Sequence, residues 1–308
     1  MSTAQRKALV IGAGSIGERH ATLLEGLGLA TASVSSRSDL ARDTFTTVPS
    51  AVQSWRPDYV VVANETALHS SAFSQLQLAG FGGSLLVEKP LGFLPSARAA
   101  EQFHRVGVGF NLRFHPVLVA AKSLLGEADV YTVEAYAGQA LDTWRPGRSP
   151  ESQYSGSRER GGGVLRDLSH EIDYLHWLFG SCLGLFAAGG RIANVTADSD
   201  DAWGVVAHYE KAPLVTLQLN YLDTRSRRRV VINSSIGTIE IDLIASTLVR
   251  DGSVQEFATE RDTTYLLMHQ AMLGDVDQLA TLDDGLVVEE VISMVEASAT
   301  DRAWVSAA

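Results

Sequence analysis

The sequence predicts an α/β chain in two parts: a doubly wound parallel sheet at the N-terminus, then an α+β domain with a large, mostly antiparallel sheet. Three observations predict it. Short apolar runs alternate with helix-like segments through the first third. The run Tyr59-Val60-Val61-Val62-Ala63 is continuous, as in a parallel strand covered on both faces. Beyond about residue 112 the apolar runs lengthen and alternate with polar residues. A length of 308 residues is comfortable for two domains, read here as 1–112 and 113–308.

In order, residues 8–11 form a strand that stops at glycines, and 15–26 a helix with Ile16, Leu23 and Leu24 on its apolar side. A second strand ends near Val34; the Tyr59 run follows, then a helix over 69–79 and strands at 84–88 and 106–110. The second part opens with helices at 116–125 and 164–179. Along 214–222, Val215, Leu217, Leu219 and Tyr221 fall on one face and Thr216, Gln218 and Asn220 on the other. Ile239 and Ile241 alternate with Glu240 and Asp242, and Asp251-Gly252 reads as a hairpin turn. Helices near 263–280 and 286–300 close the chain.

Composition narrows the function. With 45% hydrophobic and 20% charged residues the chain is ordinary for a globular protein. A net charge of -11 argues against general affinity for nucleic acid or an anionic membrane. The single cysteine, Cys182, excludes an internal disulfide framework and a Cys-rich metal site, and reads as a small buried hydrophobe. No metal is expected. Residues 1–7 are polar and run into a strand, and no apolar stretch approaches the roughly 18 residues that span a bilayer, so a cytoplasmic location is expected.

Gly12-Ala13-Gly14-Ser15-Ile16-Gly17 matches G-x-G-x-x-G between a strand and a helix, the context that gives the pattern meaning. Gly12 permits the tight turn, Gly14 lets the backbone approach a pyrophosphate, and Gly17 lets helix and strand pack closely. Free N–H groups at the helix start then hold phosphates. This is the fingerprint of a Rossmann dinucleotide-binding domain. Where NAD-binding sheets carry an acidic residue for the ribose 2′-OH, this chain has Ser35-Ser36-Arg37-Ser38. Ser36 and Arg37 suit a 2′-phosphate and favour NADP, with NAD the alternative. Asn64, Thr66 and His69 follow the Tyr59 run at its carboxyl end and are candidate cofactor contacts.

Glu88-Lys89-Pro90 ends another parallel strand and projects toward the same crevice, which makes Glu88 and Lys89 further candidate cofactor contacts. Pro90 fixes the local backbone, and a lysine beside the nicotinamide would polarise a substrate hydroxyl or carbonyl and exchange a proton. The segment 161–173 runs Gly-Gly-Gly-Val-Leu-Arg-Asp-Leu-Ser-His-Glu-Ile-Asp. As one helix through 164–179, it places Val164, Leu165, Leu168, Ile172, Leu175 and Phe179 on one face. Asp167, His170, Asp173, Tyr174 and Trp177 fall opposite, as if lining a cleft. His170 suits proton transfer near neutral pH, oriented by Asp167 or Asp173.

G-x-G-x-x-G at the start, E-K-P some seventy residues on, and G-G-G-x-x-x-D-x-x-H-x-x-D together resemble the glucose–fructose oxidoreductase/inositol dehydrogenase (Gfo/Idh/MocA) family. The resemblance spans about residues 8–180 and implies hydride transfer between a nicotinamide and a ring carbon of a sugar, cyclitol or sugar derivative. It implies Lys89 and His170 as the proton-handling pair and Asp167 as the acidic partner. One departure stands out: many members have four residues from Asp to His, whereas Asp167 to His170 is three, which leaves Asp167 and Asp173 both open as partners.

The stretches 109–116, 144–148 and 168–173 resemble a subgroup found with surface-sugar and nonulosonate biosynthesis. Arg113, Arg145, Arg148, Arg158 and Arg160 gather basic charge ahead of the His170 segment, which suits an anionic or nucleotide-linked sugar. Arg113, Arg145, Tyr154, Asp167, His170 and Asp173 are the candidate substrate contacts, and Trp144 and Tyr154 could stack on a ring. Arg225 and Arg227 to Arg229 form a second basic cluster, read as lying between two strands. A homodimer or homotetramer is expected, since relatives often associate through such a sheet. Zinc alcohol dehydrogenases, short-chain dehydrogenases with Tyr-x-x-x-Lys, and nucleophile-elbow hydrolases fail for want of their residues. A catalytically silent dinucleotide-sensing regulator, an NAD-dependent glycosidase and an imine- or bilin-type reductase stay open as alternatives on the same fold.

Overall fold

The computed structural model describes residues 5–95, 97–144, 153–274 and 278–307. The chain forms two compact units, Met1–Phe110 with Tyr265–Leu286, and Asn111–Thr264 with Val287–Ala308.

The first unit runs β1 (Lys7–Ile11), α1 (Ser15–Gly26), β2 (Ala30–Val34), β3 (Thr44–Phe45), α2 (Val48–Trp55), β4 (Tyr59–Val62), α3 (His69–Leu78), β5 (Ser84–Val87), α4 (Ala97–Ala100) and β6 (Arg105–Val108). Its six strands lie in the order β3-β2-β1-β4-β5-β6, all parallel. Leu9, Val10, Val60, Val61 and Val62 are fully buried, which is why these strands read as unbroken apolar runs. The chain winds outward from β1 to one edge and from β4 to the other. The switch point therefore lies between β1 and β4, where an open α/β sheet leaves its ligand crevice. Three elements go beyond the sequence expectation, the short α4 among them. β3 is only two residues long. α2 begins where the Thr47 hydroxyl caps the Ser50 N–H, with Pro49 in the first turn.

The second unit holds α5 (Pro116–Leu125), β7 (Val130–Gly138), α6 (Leu141–Trp144), α7 (Val164–Asp167) and α8 (His170–Phe179). The strands β8 (Cys182–Gly190), β9 (Ala202–Tyr209), β10 (Ala212–Asn220), β11 (Arg227–Ser234), β12 (Gly237–Asp242), β13 (Thr247–Arg250) and β14 (Ser253–Glu256) follow. The chain ends with α9 (Thr263–Leu273), α10 (Leu282–Asp301) and β15 (Val305–Ser306). The nine-stranded sheet has the order β14-β13-β12-β11-β7-β10-β9-β8-β15 and is antiparallel except for the parallel pair β7–β10. Alternation holds in β10: Val215, Leu217, Leu219 and Tyr221 are buried, while Thr216 and Gln218 are exposed. Asn220 departs from it, being buried despite its polar register. Asp251 and Gly252 turn the β13–β14 hairpin with φ of 49° and 82°, as a type I′ turn requires. Cys182 is buried, and burial pushes its thiol up to about 11.

Two expectations need correction. The single helix expected over 164–179 is two, because Leu168 leaves the helical region at φ -98° and ψ 28°. Arg227, Arg228 and Arg229 are not a loop between strands; they open β11. The return of Tyr265–Leu286 to the first unit has a plain physical use. β6 is an edge strand, and Val108 donates to Ala280, Gly107 bridges to Thr281, and the Arg105 guanidinium bonds the carbonyls of Ala271 and Gly274. The edge is thereby covered.

Candidate active site

The glycine loop is built on backbone contact. Gly12 has φ +102°, and a Cβ there would lie 2.7 Å from Asn64 N and 2.8 Å from the Ala63 carbonyl. A Cβ on Gly17 would lie 2.0 Å from Gly12 O. At Gly14 a Cβ would meet nothing within 4 Å. That open space lies at the start of α1, where no side chain among the described residues caps the helix. The exposed Ser15 and half-buried Ile16 complete the first turn. Free amide donors facing space that only glycine leaves empty suit a pyrophosphate.

Ser36 and Arg37 lie exposed at the end of β2. The Arg37 guanidinium bonds Ala13 O at 2.9 Å, which ties it to the glycine loop. Its other edge is taken by Asp39, at 3.0 and 2.8 Å. This bond holds the Asp39 carboxyl below its usual range.

Past β4, the Asn64 side-chain oxygen is buried with no hydrogen-bond partner among the described residues. It is an acceptor available to a ligand hydroxyl or amide. Thr66 is buried beside Gly92. His69 serves differently: its ring nitrogens lie 3.2 Å from the carbonyls of Asn64, Pro90 and Leu91. It lies between the ends of β4 and β5, and burial holds its imidazole below the ordinary value, so the neutral ring donates from one nitrogen only. Lys89 is half-buried at the end of β5, and the Lys89–Pro90 peptide is cis.

Glu88, read from the sequence as a cofactor contact, belongs to a cluster whose other members that reading did not name. Its Oε1 lies 2.9 Å from His20 Nε2, His20 Nδ1 lies 2.9 Å from His269 Nε2, and His269 Nδ1 lies 2.9 Å from the Tyr59 hydroxyl. His20 and His269 are fully buried, Tyr59 is 1% and Glu88 7% exposed. The signal was a polar residue on an apolar helix stripe: His20 lies four positions before Leu24 on α1, and His269 stands between Met268 and Met272 on α9.

In the second unit, the break at Leu168 removes the expected one-turn relation between Asp167 and His170. Asp167 ends α7, where its Oδ2 accepts a 2.6 Å hydrogen bond from Tyr221. Burial and the Asp167 charge raise the Tyr221 phenol well above its usual value. His170 opens α8 and is 8% exposed. Arg113 and Asp173, both expected to meet substrate, are bonded to each other: the pair is 3% and 0% exposed, with contacts of 2.7 and 3.1 Å. Glu171, also fully buried, is held by Arg228 at 2.6 and 3.1 Å. Two bidentate arginine–carboxylate pairs thus fix the first turn of α8, and so the residue that opens it. His115 caps α5 through the Val117 N–H; burial and Arg228 push its imidazole down to about 4. The Tyr154 hydroxyl bonds Gly161 O at 2.9 Å and closes the turn ahead of α7. Trp144 packs edge-on against Tyr221 at 5.3 Å. Arg145 and Arg148 lie outside the described residues.

Fold and loop together define a Rossmann-type chain with a second, sheet-based unit. Comparison with known proteins finds similarity over part of the chain in sequence and over all of it in fold. Residues 119–240 match the GFO/IDH/MocA C-terminal domain. An uncharacterised oxidoreductase of Synechocystis sp. is 32% identical over 136 residues, which is 42% of this chain and about a third, 36%, of that relative. GenD2 from gentamicin A biosynthesis, solved in complex with NAD, shares the fold at a TM-score of 0.81 and 21% identity, over 100% of this chain and 98% of that one. The WlbA dehydrogenase from Bordetella pertussis, in complex with NADH and UDP-GlcNAcA, aligns with a TM-score of 0.80 at 15% identity, over 99% of each chain. Residues 119–240 thus match a domain of the family that the motifs resemble, and the fold of the whole chain is shared with these solved dehydrogenase structures.

The α8 clamp makes a stability prediction. Asp173→Leu leaves the Arg113 guanidinium buried and unpaired and is expected to cost about 3–5 kcal/mol. Arg113→Met combined with Asp173→Leu is expected to recover most of that loss. Chemical denaturation of the three proteins checks it, and additive losses in the double variant would contradict the pairing.

Proposed function

We infer that the protein is a nicotinamide-dependent oxidoreductase that moves hydride between the cofactor and a ring carbon of a sugar, cyclitol or sugar derivative. The observation that carries this reading is the glycine cradle: a helix start that no side chain among the described residues caps, facing space that a Cβ at Gly14 would enter, beside an Asn64 oxygen with no partner among those residues. A bound nicotinamide dinucleotide supplies or accepts the hydride. The amides of Gly14, Ser15 and Ile16 would hold its phosphates and Asn64 a hydroxyl or carboxamide. Lys89 would hold or move the proton at the reacting oxygen, with His170 as the second proton-handling group. Asp167 then acts through its anchored position on Tyr221. With Arg113 and Asp173 engaged in the interior, Arg145 and Tyr154 remain the proposed substrate contacts. An anionic or nucleotide-linked sugar is the favoured class; among the fold's neighbours, WlbA is solved with UDP-GlcNAcA. Association into a homodimer or homotetramer would use the exposed sheet face, where Phe186 and Val206 pair across β8 and β9, 40% and 42% exposed.

The test of the chemistry is a screen of sugars, cyclitols and sugar nucleotides that follows reduced-nicotinamide absorbance. Lys89→Ala is expected to lower kcat by about 100-fold or more and cofactor affinity by less than about two-fold. His170→Ala is expected to flatten the limb of the pH–rate profile near neutrality. Equal loss of turnover and binding in Lys89→Ala would contradict the assignment, and cofactor binding without turnover across the screen would favour a sensor.

Cofactor choice rests on the Arg37–Asp39 pair. Arg37 offers a guanidinium to a 2′-phosphate, and Asp39 competes for the same edge. Arg37→Ala is expected to weaken NADPH by about ten-fold and NADH by less than about two-fold, while Asp39→Asn tightens NADPH. Isothermal titration checks this; equal weakening of both cofactors by Arg37→Ala would remove the residue from the choice.

A further inference from the structure

We propose that His20, backed by His269 and Tyr59, is a positioning residue for Lys89, acting through the Glu88 carboxylate. The inference rests on the role given to Lys89 above and adds residues that no motif named.

The Glu88 side chain has two ends. One oxygen lies 2.9 Å from His20 Nε2, and the other accepts the backbone N–H of Lys89 at 3.3 Å. The carboxylate therefore ties the main chain at Lys89 to helix α1. The space for it is built: a Cβ on Gly109 would lie 2.6 Å from Glu88 Oε1 and 3.1 Å from its Cα, so only glycine lets the carboxylate sit there. Behind His20 the cluster is closed. Tyr265 packs edge-on at 5.5 Å with Arg19 over its ring, and His269 stands edge-on at 4.9 Å.

The direction of every hydrogen bond follows from chemistry. With Glu88 as a carboxylate, the nitrogen facing it must carry a proton, so His20 donates from Nε2. A neutral His20 then accepts at Nδ1, which requires His269 to donate from Nε2. A neutral His269 accepts in turn at Nδ1, and the Tyr59 hydroxyl donates to it. Burial supports the Tyr59 end of the chain: it holds His269 well below the ordinary imidazole value, with the neighbouring His20 adding to the effect, and it raises the Tyr59 phenol. Reversing the chain would set an unprotonated His20 nitrogen against the carboxylate. The order Tyr59 to His269 to His20 to Glu88 is thus the one neutral-imidazole arrangement that satisfies all three contacts. It fixes the rotamer of Glu88 and, through the second oxygen, the Lys89 amide.

The experiment has two readouts, one independent of catalysis. Imidazole ¹⁵N shifts of the cofactor-free protein are expected to show the Nε2–H tautomer at both His20 and His269. Amide exchange at Lys89 is expected to quicken by about ten-fold in His20→Leu while the β4 and β5 amides hold their protection. In the same variant kcat with NADH or NADPH, on the substrate found by the screen, is expected to fall by about ten-fold or more at a cofactor KM within about two-fold of wild type. His20→Gln keeps an N–H donor in reach of Glu88 and is expected to restore most of both losses. An Nδ1–H tautomer at either histidine overturns the proposal. So does His20→Leu with Lys89 exchange and kcat unchanged. Should His20→Leu fail to fold, the wild-type tautomers decide. If Lys89→Ala leaves kcat intact while tautomers and exchange behave as stated, the chemical role of Lys89 fails and the tether stands.

Discussion

Where α1 meets β1 and β4, backbone packs on backbone with no room for a side-chain carbon. A Cβ at Gly12 would enter the Ala63–Asn64 peptide, and one at Gly17 would enter the Gly12 carbonyl. Gly12 also holds a φ of +102°, which side-chain-bearing residues rarely adopt. This contact sets the helix start against the carboxyl ends of β1 and β4, at the switch point of the sheet. The rest of the first unit is placed by it. Arg37 reaches the loop through the Ala13 carbonyl, Asn64 follows the peptide that excludes the Gly12 Cβ, and His20 extends from the same helix to Glu88.

Glu88 in the first unit and the α8 carboxylates in the second are held by different chemistry. In the second, Asp173 and Glu171 face guanidinium groups, and two bidentate pairs lock the helix that His170 opens. Breaking one leaves a charge in the interior, so the arrangement tolerates loss of both partners better than loss of one. In the first, Glu88 is served by an imidazole and a backbone amide. Imidazoles bond through one defined nitrogen each, so a chain of them transmits orientation from Tyr59 on β4 to the end of β5. The arginine pairs brace the helix that His170 opens, and the imidazole chain braces the backbone at Lys89, each within its own unit.

Much of the fold could be read from the chain. The parallel strands announced themselves as continuous apolar runs, α1 and α5 matched their expected bounds, and β10 and the Asp251-Gly252 turn followed period-two alternation and turn chemistry. What was hidden was non-local. The break at Leu168 is invisible to a helical wheel, which stayed apolar on one face through residue 179 and so placed Asp167 and His170 one turn apart. Arg113 and Asp173 looked like substrate groups because charge suggests solvent; only the fold shows each supplying the other's counter-charge sixty positions away. Arg227 to Arg229 resembled a loop for the same reason, although two of them meet Asp223 and Glu171. The return of Tyr265–Leu286 to the first unit, which delivers His269, depends on an edge strand needing cover and leaves no local mark.

In the proposed function the first unit grips a nicotinamide dinucleotide by the amides around Gly14. Fluorescence titration of NADH and NADPH into the wild-type protein and Gly14→Val, with ADP-ribose as competitor, addresses it directly. A valine there meets no protein atom at its Cβ, so the fold and its melting curve should persist while affinity falls by about ten-fold or more. Saturable wild-type binding displaced by ADP-ribose, and lost in the folded variant, is the result this account requires. Wild-type protein that binds neither cofactor, or a Gly14→Val variant that binds as tightly, would contradict it.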